Sequence, residues 1–192
     1  MPAHETLGEM LAARGISRRA FLKYTSWLAT LMALPPGMAP AMAEELAKAK
    51  RQSVIWLSFQ ECTGCTESIT RSFSPTLEDL IFNFISLDYH HTLQAASGEA
   101  AEHAREAAMA ENKGKYVVVV DGSVPVKDGG IYSTIAGISN LQMLEETVAD
   151  SLAVIAVGTC AAYGGIPHAN PNPTGAVAIS ELVKGKPVIN IP

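Results

Sequence analysis

Residues 53–68 read SVIWLSFQECTGCTES. The opening seven, Ser53 to Phe59, are apolar or small and rich in β-branched and aromatic side chains, as in a buried strand. Cys62 and Cys65 follow directly, with two residues between them. The stretch therefore predicts a strand that runs into a cysteine-bearing corner, with a helix opening over Glu67 to Phe73.

The same grammar recurs along the chain. Apolar runs at Leu80–Leu87, Tyr116–Val120, Leu152–Val157 and Pro187–Ile191 predict four more strands. Residues 98–112 are rich in Ala and Glu and predict a helix by propensity. Residues 139–151 and 176–182 predict two further helices. Strands alternating with helices argue for an α/β fold with an open parallel sheet. Strands that are apolar throughout argue for helices on both faces. In such sheets ligands sit beyond the carboxyl ends of the strands. Cys62 and Cys65 follow the first strand and Cys160 follows the fourth, so all three fall at one edge.

The whole chain sets limits. It has 192 residues, 48% of them hydrophobic, enough for one sizeable core. Net charge is -5, and no Lys/Arg cluster interleaves with aromatics, which excludes a nucleic-acid partner. Three cysteines, nearly a hundred residues apart at the extremes, do not make a disulfide framework.

The first 43 residues read as an address. Arg14, Arg18, Arg19 and Lys23 precede an apolar run from Tyr24 to Leu34, well short of the roughly 20 residues that span a bilayer. Pro35, Pro36 and Gly37 break any helix, and Ala41-Met42-Ala43 offers the small residues a signal peptidase requires. Ser17-Arg18-Arg19-Ala20-Phe21-Leu22-Lys23 fits the twin-arginine export signal, which serves proteins folded around a cofactor before export. The expected organisation is a signal peptide, 1–43, and a mature domain, 44–192.

Three readings of the thiols stay open on the residues alone. One is an exported thiol-disulfide oxidoreductase using Cys62 and Cys65 at a helix N-terminus. Another is structural zinc, which wants four ligands in close pairs. The last is an iron–sulfur cluster with thiolates from separated loops. The glycines near the thiols, Gly64, Gly158, Gly164 and Gly165, suit the last. A flavin is set aside, because the loop after strand one holds ECTGC rather than a Ser/Thr/Gly phosphate loop.

Several segments together resemble the small subunit of nickel–iron uptake hydrogenases. They are the twin-arginine leader, WLSFQECTGCTES (56–68), ISLDYHHTLQAASGEAAE (85–102), VVVVDGSVPVKDGGIYSTIAG (117–137), AVGTCAAYGGIPHANPNPTGA (156–176) and PVINIP (187–192). The resemblance implies a flavodoxin-like open parallel sheet with helices on both faces. It implies that Cys62, Cys65 and Cys160 hold the iron of a proximal [4Fe–4S] cluster against a large subunit that carries the Ni–Fe centre. The family's fourth ligand follows the Val-Ile-Asn-Ile-Pro strand, so this chain is expected to be an amino-terminal fragment cut before it. The family's medial [3Fe–4S] and distal [4Fe–4S] clusters lie further on. Electrons from H2 are expected to pass to an acceptor such as a membrane cytochrome b or a quinone-linked partner, at the periplasmic face of the cell membrane. Oxygen-tolerant members carry extra cysteines at the positions of Gly64 and Gly165, so an ordinary, oxygen-sensitive cluster is expected. Glu61, beside the first thiol, matches a glutamate proposed to move protons. His90, His91, His103 and His168 are expected to pack or face solvent. Lys127–Gly130 reads as a turn that could meet the large subunit.

Overall fold

The computed structural model describes residues 6–35 and 37–192. Residues 1–5 of the expected leader, and Pro36 of its helix-breaking triplet, lie outside the described residues. The chain forms two compact units, one through Arg51 and one from Gln52 to Pro192.

The first unit holds three helices, α1 (Leu7–Ala13), α2 (Arg18–Leu31) and α3 (Met38–Lys48). A reciprocal cap between Thr6 and Glu9 starts α1. The Ser17 hydroxyl accepts from the Ala20 amide at 3.2 Å and starts α2, so Arg18 and Arg19 occupy its first turn and are exposed. Gly37, at φ 92°, precedes α3. Helix α3 runs through the expected Ala41–Ala43 junction, and Ala43 is buried. Among the described residues no helix is long and apolar enough to cross a membrane.

The second unit is built on five strands: β1 (Gln52–Ser58), β2 (Ile85–His90), β3 (Val117–Asp121), β4 (Ala153–Val157) and β5 (Val188–Ile191). Their order is β2-β1-β3-β4-β5 and every pairing is parallel. This is the flavodoxin-like order, with its topological switch between β1 and β3. The register aligns Ser58 with Asp121 and Asp121 with Val157, so β1, β3 and β4 end level. Loops leaving those ends share one edge.

Helices flank the sheet. They are α4 (Gly64–Thr70), α5 (Glu99–Glu111), α6 (Asn140–Ala149), α7 (Gly158–Tyr163), α8 (Gly165–His168) and α9 (Ile179–Leu182). One face is thick. There Ile55, Leu57, Val118, Val120, Val154 and Ala156 meet Ala101 and Ala108 of α5 and Met143, Leu144 and Val148 of α6. The helical spacing of those residues puts them on one stripe. On the other face Val54, Trp56 and Val119 form a smaller cluster with Ile69 of α4 beside them.

Two expected elements differ. Leu80–Phe84 is a π-helical turn, and only Ile85–His90 joins the sheet. Thr76 caps the preceding turn by accepting from the Asp79 amide at 3.1 Å, and Asn83 donates back to Asp79 at 2.8 Å. These local bonds carry helical geometry into an apolar run and leave Phe82 and Phe84 exposed. Within 176–182 only Ile179–Leu182 is helical, while Ala176–Val177 pairs antiparallel with Val124–Pro125.

Candidate functional site

The site grows from the level ends of β1, β3 and β4. After β1 the chain crosses back over β3, where Gln60 and Ser123 exchange backbone bonds of 3.1 and 3.0 Å. Gly122 permits this close approach: its φ is 91°, and a Cβ there would lie 2.8 Å from the Gln60 backbone. The chain then turns through Glu61 and Cys62 into α4, with Thr63 in the left-handed region at φ 64°. Cys62 is exposed; Cys65, in the first turn of α4, is half-buried. Cys160 lies in α7, directly after β4, and is also half-buried. All three thiols are free.

Two glycines leave room for the sulfurs. A Cβ on Gly158, at φ 78°, would overlap Cys65 Sγ. A Cβ on Gly165, at φ 56°, would lie 2.5 Å from Cys160 Sγ and 2.7 Å from its Cα. Gly64 faces Cys62 Sγ, its would-be Cβ at 3.1 Å. Cys65 Sγ donates weakly to the Val157 carbonyl at 3.7 Å, tying the first thiol loop to the end of β4.

Burial pushes the Cys65 thiol above its ordinary pKa, and the charges of Asp121, Glu61 and the other two cysteines add to this. A dithiol oxidoreductase needs an acidified nucleophile, so the geometry does not favour that reading. Burial, and then Asp121, also raise the Glu61 carboxyl, while the Thr63 hydroxyl donates to it at 3.2 Å and offsets part of the rise. Its second oxygen is buried without a partner. Among the described residues no three His, Cys, Asp or Glu side chains converge on a single-ion site. Zinc needs four donors on one ion, whereas a multi-iron cluster takes its thiolates on separate irons.

Sequence reasoning passed over one part of the site. By composition Asp121-Gly122 is a turn dipeptide. Asp121 is instead the last residue of β3 and fully buried. Its oxygens accept from Trp56 Nε1 at 3.0 Å and from the Thr66 hydroxyl at 3.3 Å. His90 stacks on Trp56 with ring centroids 5.1 Å apart and reaches Thr66 at 3.5 Å. The available signal was position: a carboxylate ending a wholly apolar strand at a ligand-binding edge.

The other histidines stay apart from the thiols. His91 Nδ1 accepts from the Ser58 amide at 3.1 Å and its ring meets Tyr89 edge-on. His103 faces Glu106 on the exposed side of α5. His168 caps the loop near Ala176 and Asn172. Lys127–Gly130 forms a tight turn with Asp128 and Gly129 at positive φ.

The comparisons with known proteins agree with this architecture. The family model for the NADH ubiquinone oxidoreductase, 20 Kd subunit, matches residues 62–192. The Hydrogenase-2 small chain of Escherichia coli is 45% identical over 183 residues, covering 95% of this chain and 49% of the relative. The Periplasmic [NiFe] hydrogenase small subunit 1 of Nitratidesulfovibrio vulgaris is 46% identical over 176 residues, covering 92% and 55%. Among solved structures, recombinant [NiFeSe] hydrogenase from Desulfovibrio vulgaris Hildenborough aligns with a TM-score of 0.73 at 40% identity, covering 75% of this chain and 54% of that one. The chain thus spans about half the length of the relatives it matches. It belongs to the NADH ubiquinone oxidoreductase 20 Kd subunit family and is homologous to the small subunits of nickel–iron hydrogenases.

Proposed function

We propose that this chain is the proximal-cluster domain of an electron-transfer small subunit of a [NiFe] hydrogenase. The observation that carries the reading is the gathering of Cys62, Cys65 and Cys160 at one sheet edge, with Gly158 and Gly165 keeping space open at two of the sulfurs. Soft thiolates grouped in that way fit an iron–sulfur group. When bound, a [4Fe–4S] cluster supplies one-electron storage and relay between a Ni–Fe centre in the large subunit and later carriers. Those carriers are a [3Fe–4S] and a distal [4Fe–4S] cluster in the full-length protein.

The chain's own residues do the rest. The three cysteines fix the group at the level ends of β1 and β4, and a fourth thiolate completes the set. The backbone crossing at Gln60 and Ser123 holds the first loop against β3. Glu61 presents one buried, unpartnered oxygen beside Cys62, a position from which it can pass a proton. Export by the twin-arginine route to the periplasmic face belongs to the same reading, since Arg18 and Arg19 open α2 on its exposed side. The partner is the large subunit, and the acceptor is a membrane cytochrome b or quinone-linked protein. With glycine at 64 and 165, the cluster is of the ordinary, oxygen-sensitive type.

The test uses the full-length protein made with its large subunit. Wild type is expected to bind iron and acid-labile sulfide and to reduce a dye with H2. Cys160→Ser is expected to lose the proximal share of iron and nearly all turnover. A variant with full iron content and full turnover removes the assignment. Glu61→Gln is expected to keep the iron and to slow turnover by roughly a hundredfold; unchanged turnover removes its proton role.

A further inference from the structure

The relay leaves one buried charge without a task. Asp121 is 0% exposed and sits level with Val157, whose carbonyl accepts from Cys65. Its second donor, Thr66, is the residue next to Cys65. Both donors to Asp121, an indole N–H and a hydroxyl, are neutral. They orient the carboxylate without cancelling its charge.

The hydrogen-bond directions form one consistent chain. His90 Nδ1 accepts from the Thr92 amide at 3.1 Å, so its proton sits on Nε2 and points at Thr66 Oγ1. Thr66, receiving there, gives its own proton to Asp121 Oδ2. Trp56 gives Nε1–H to Oδ1. Every polar hydrogen in the network runs toward the carboxylate, and both of its oxygens act as acceptors, as in the ionised form. Burying such a group is costly unless it is well bonded. A neutral side chain would fill the same place at lower cost.

We propose that Asp121 is a positioning residue that sets the redox equilibrium at the thiol site by holding a fixed negative charge beside Cys65. The inference rests on the reading of Cys62, Cys65 and Cys160 as ligands of an iron–sulfur cluster. Reduction brings one electron and no proton into the site, and no bond to Asp121 forms or breaks. The added negative charge is placed next to an existing one that is itself buried from water. The oxidised form is therefore favoured and the reduction potential lowered. Trp56 and Thr66 set how strongly the charge is felt, because each donor dipole opposes it.

The test is an EPR-monitored redox titration of the assembled full-length enzyme, with Asp121→Asn and Thr66→Val. Asp121→Asn keeps the shape and removes the charge. It is expected to raise the reduced-to-oxidised ratio at a fixed ambient potential about tenfold, a shift of about 59 mV upward for one electron. Thr66→Val removes one opposing dipole and leaves the charge, so its potential is expected to shift downward. General structural damage does not produce opposite signs. Wild-type potential in a cluster-loaded Asp121→Asn protein overturns the inference. If that variant loses the cluster, Thr66→Val decides: a downward shift sustains the proposal, and an unchanged or raised potential overturns it. A wild-type protein with no cluster signal removes the proposed function and this inference together.

Discussion

Single atoms decide much of this site. Gly158 has no room for a Cβ, because Cys65 Sγ occupies it. Its φ of 78° adds a left-handed cost of roughly 1–2 kcal/mol for alanine. Gly158→Ala is therefore expected to displace the Cys65 thiol and, under the proposed function, to lower iron content in the full-length protein, read by metal analysis. The buried histidines give a second outcome. Burial pushes His90 down to about 4 and also lowers His91. Below the ordinary value of about 6.5 the unfolded chain takes up protons that the folded chain refuses. Stability is then expected to be full above that value and to fall as pH drops toward 4, by about 3 kcal/mol for His90, with His91 adding in the same direction. Urea midpoints between pH 7 and 4.5 measure the slope, and His90→Phe is expected to flatten it. The three thiols were legible in the sequence because only three exist and two follow a strand directly. Asp121 was not. Asp-Gly is a common turn dipeptide, and the partner that makes Asp121 a buried acceptor, Trp56, lies on another strand.

Among elements, the five strands of the main sheet were readable because each is a dense apolar run with a breaker nearby. The order was implied only by family likeness, since sequence spacing does not say which strand crosses to which edge. The Leu80–Phe84 turn shows where the pattern misleads: a helix cap at Thr76 outcompetes strand-like composition in the next turn. Small pairs such as Thr134–Ile135 with Ile138–Ser139 carry two residues a side and leave no period to read. The thick face depends on one polar joint. Arg105 of α5 is 4% exposed, pairs with Glu102 at 3.0 Å and donates to Thr147 of α6 at 3.1 Å. Glu102 also accepts from Tyr89 of β2 at 2.6 Å. Arg105→Ala is expected to cost about 3–5 kcal/mol, because it leaves a half-buried carboxylate short of its cation. Chemical denaturation measures the loss.

At the scale of the molecule, the open edge carries apolar surface. Ile166 is 84% exposed and Tyr163 61%, both close in sequence to Cys160. Apolar groups gathered beside a site point to a partner face. Under the proposed function, Ile166→Asp is expected to weaken co-purification of the large subunit while leaving urea stability unchanged. The placement of the thiols reaches further still. Cys65 hangs from β1 and Cys160 from β4, two strands that never touch because β3 lies between them. A group gripped by both is a covalent clasp around nearly a hundred residues of chain. A loop of that length loses about 4–5 kcal/mol of unfolded-state entropy when its ends are joined. Loading the site would thus lock the order of the sheet, and losing the metal would free its first strand from its fourth.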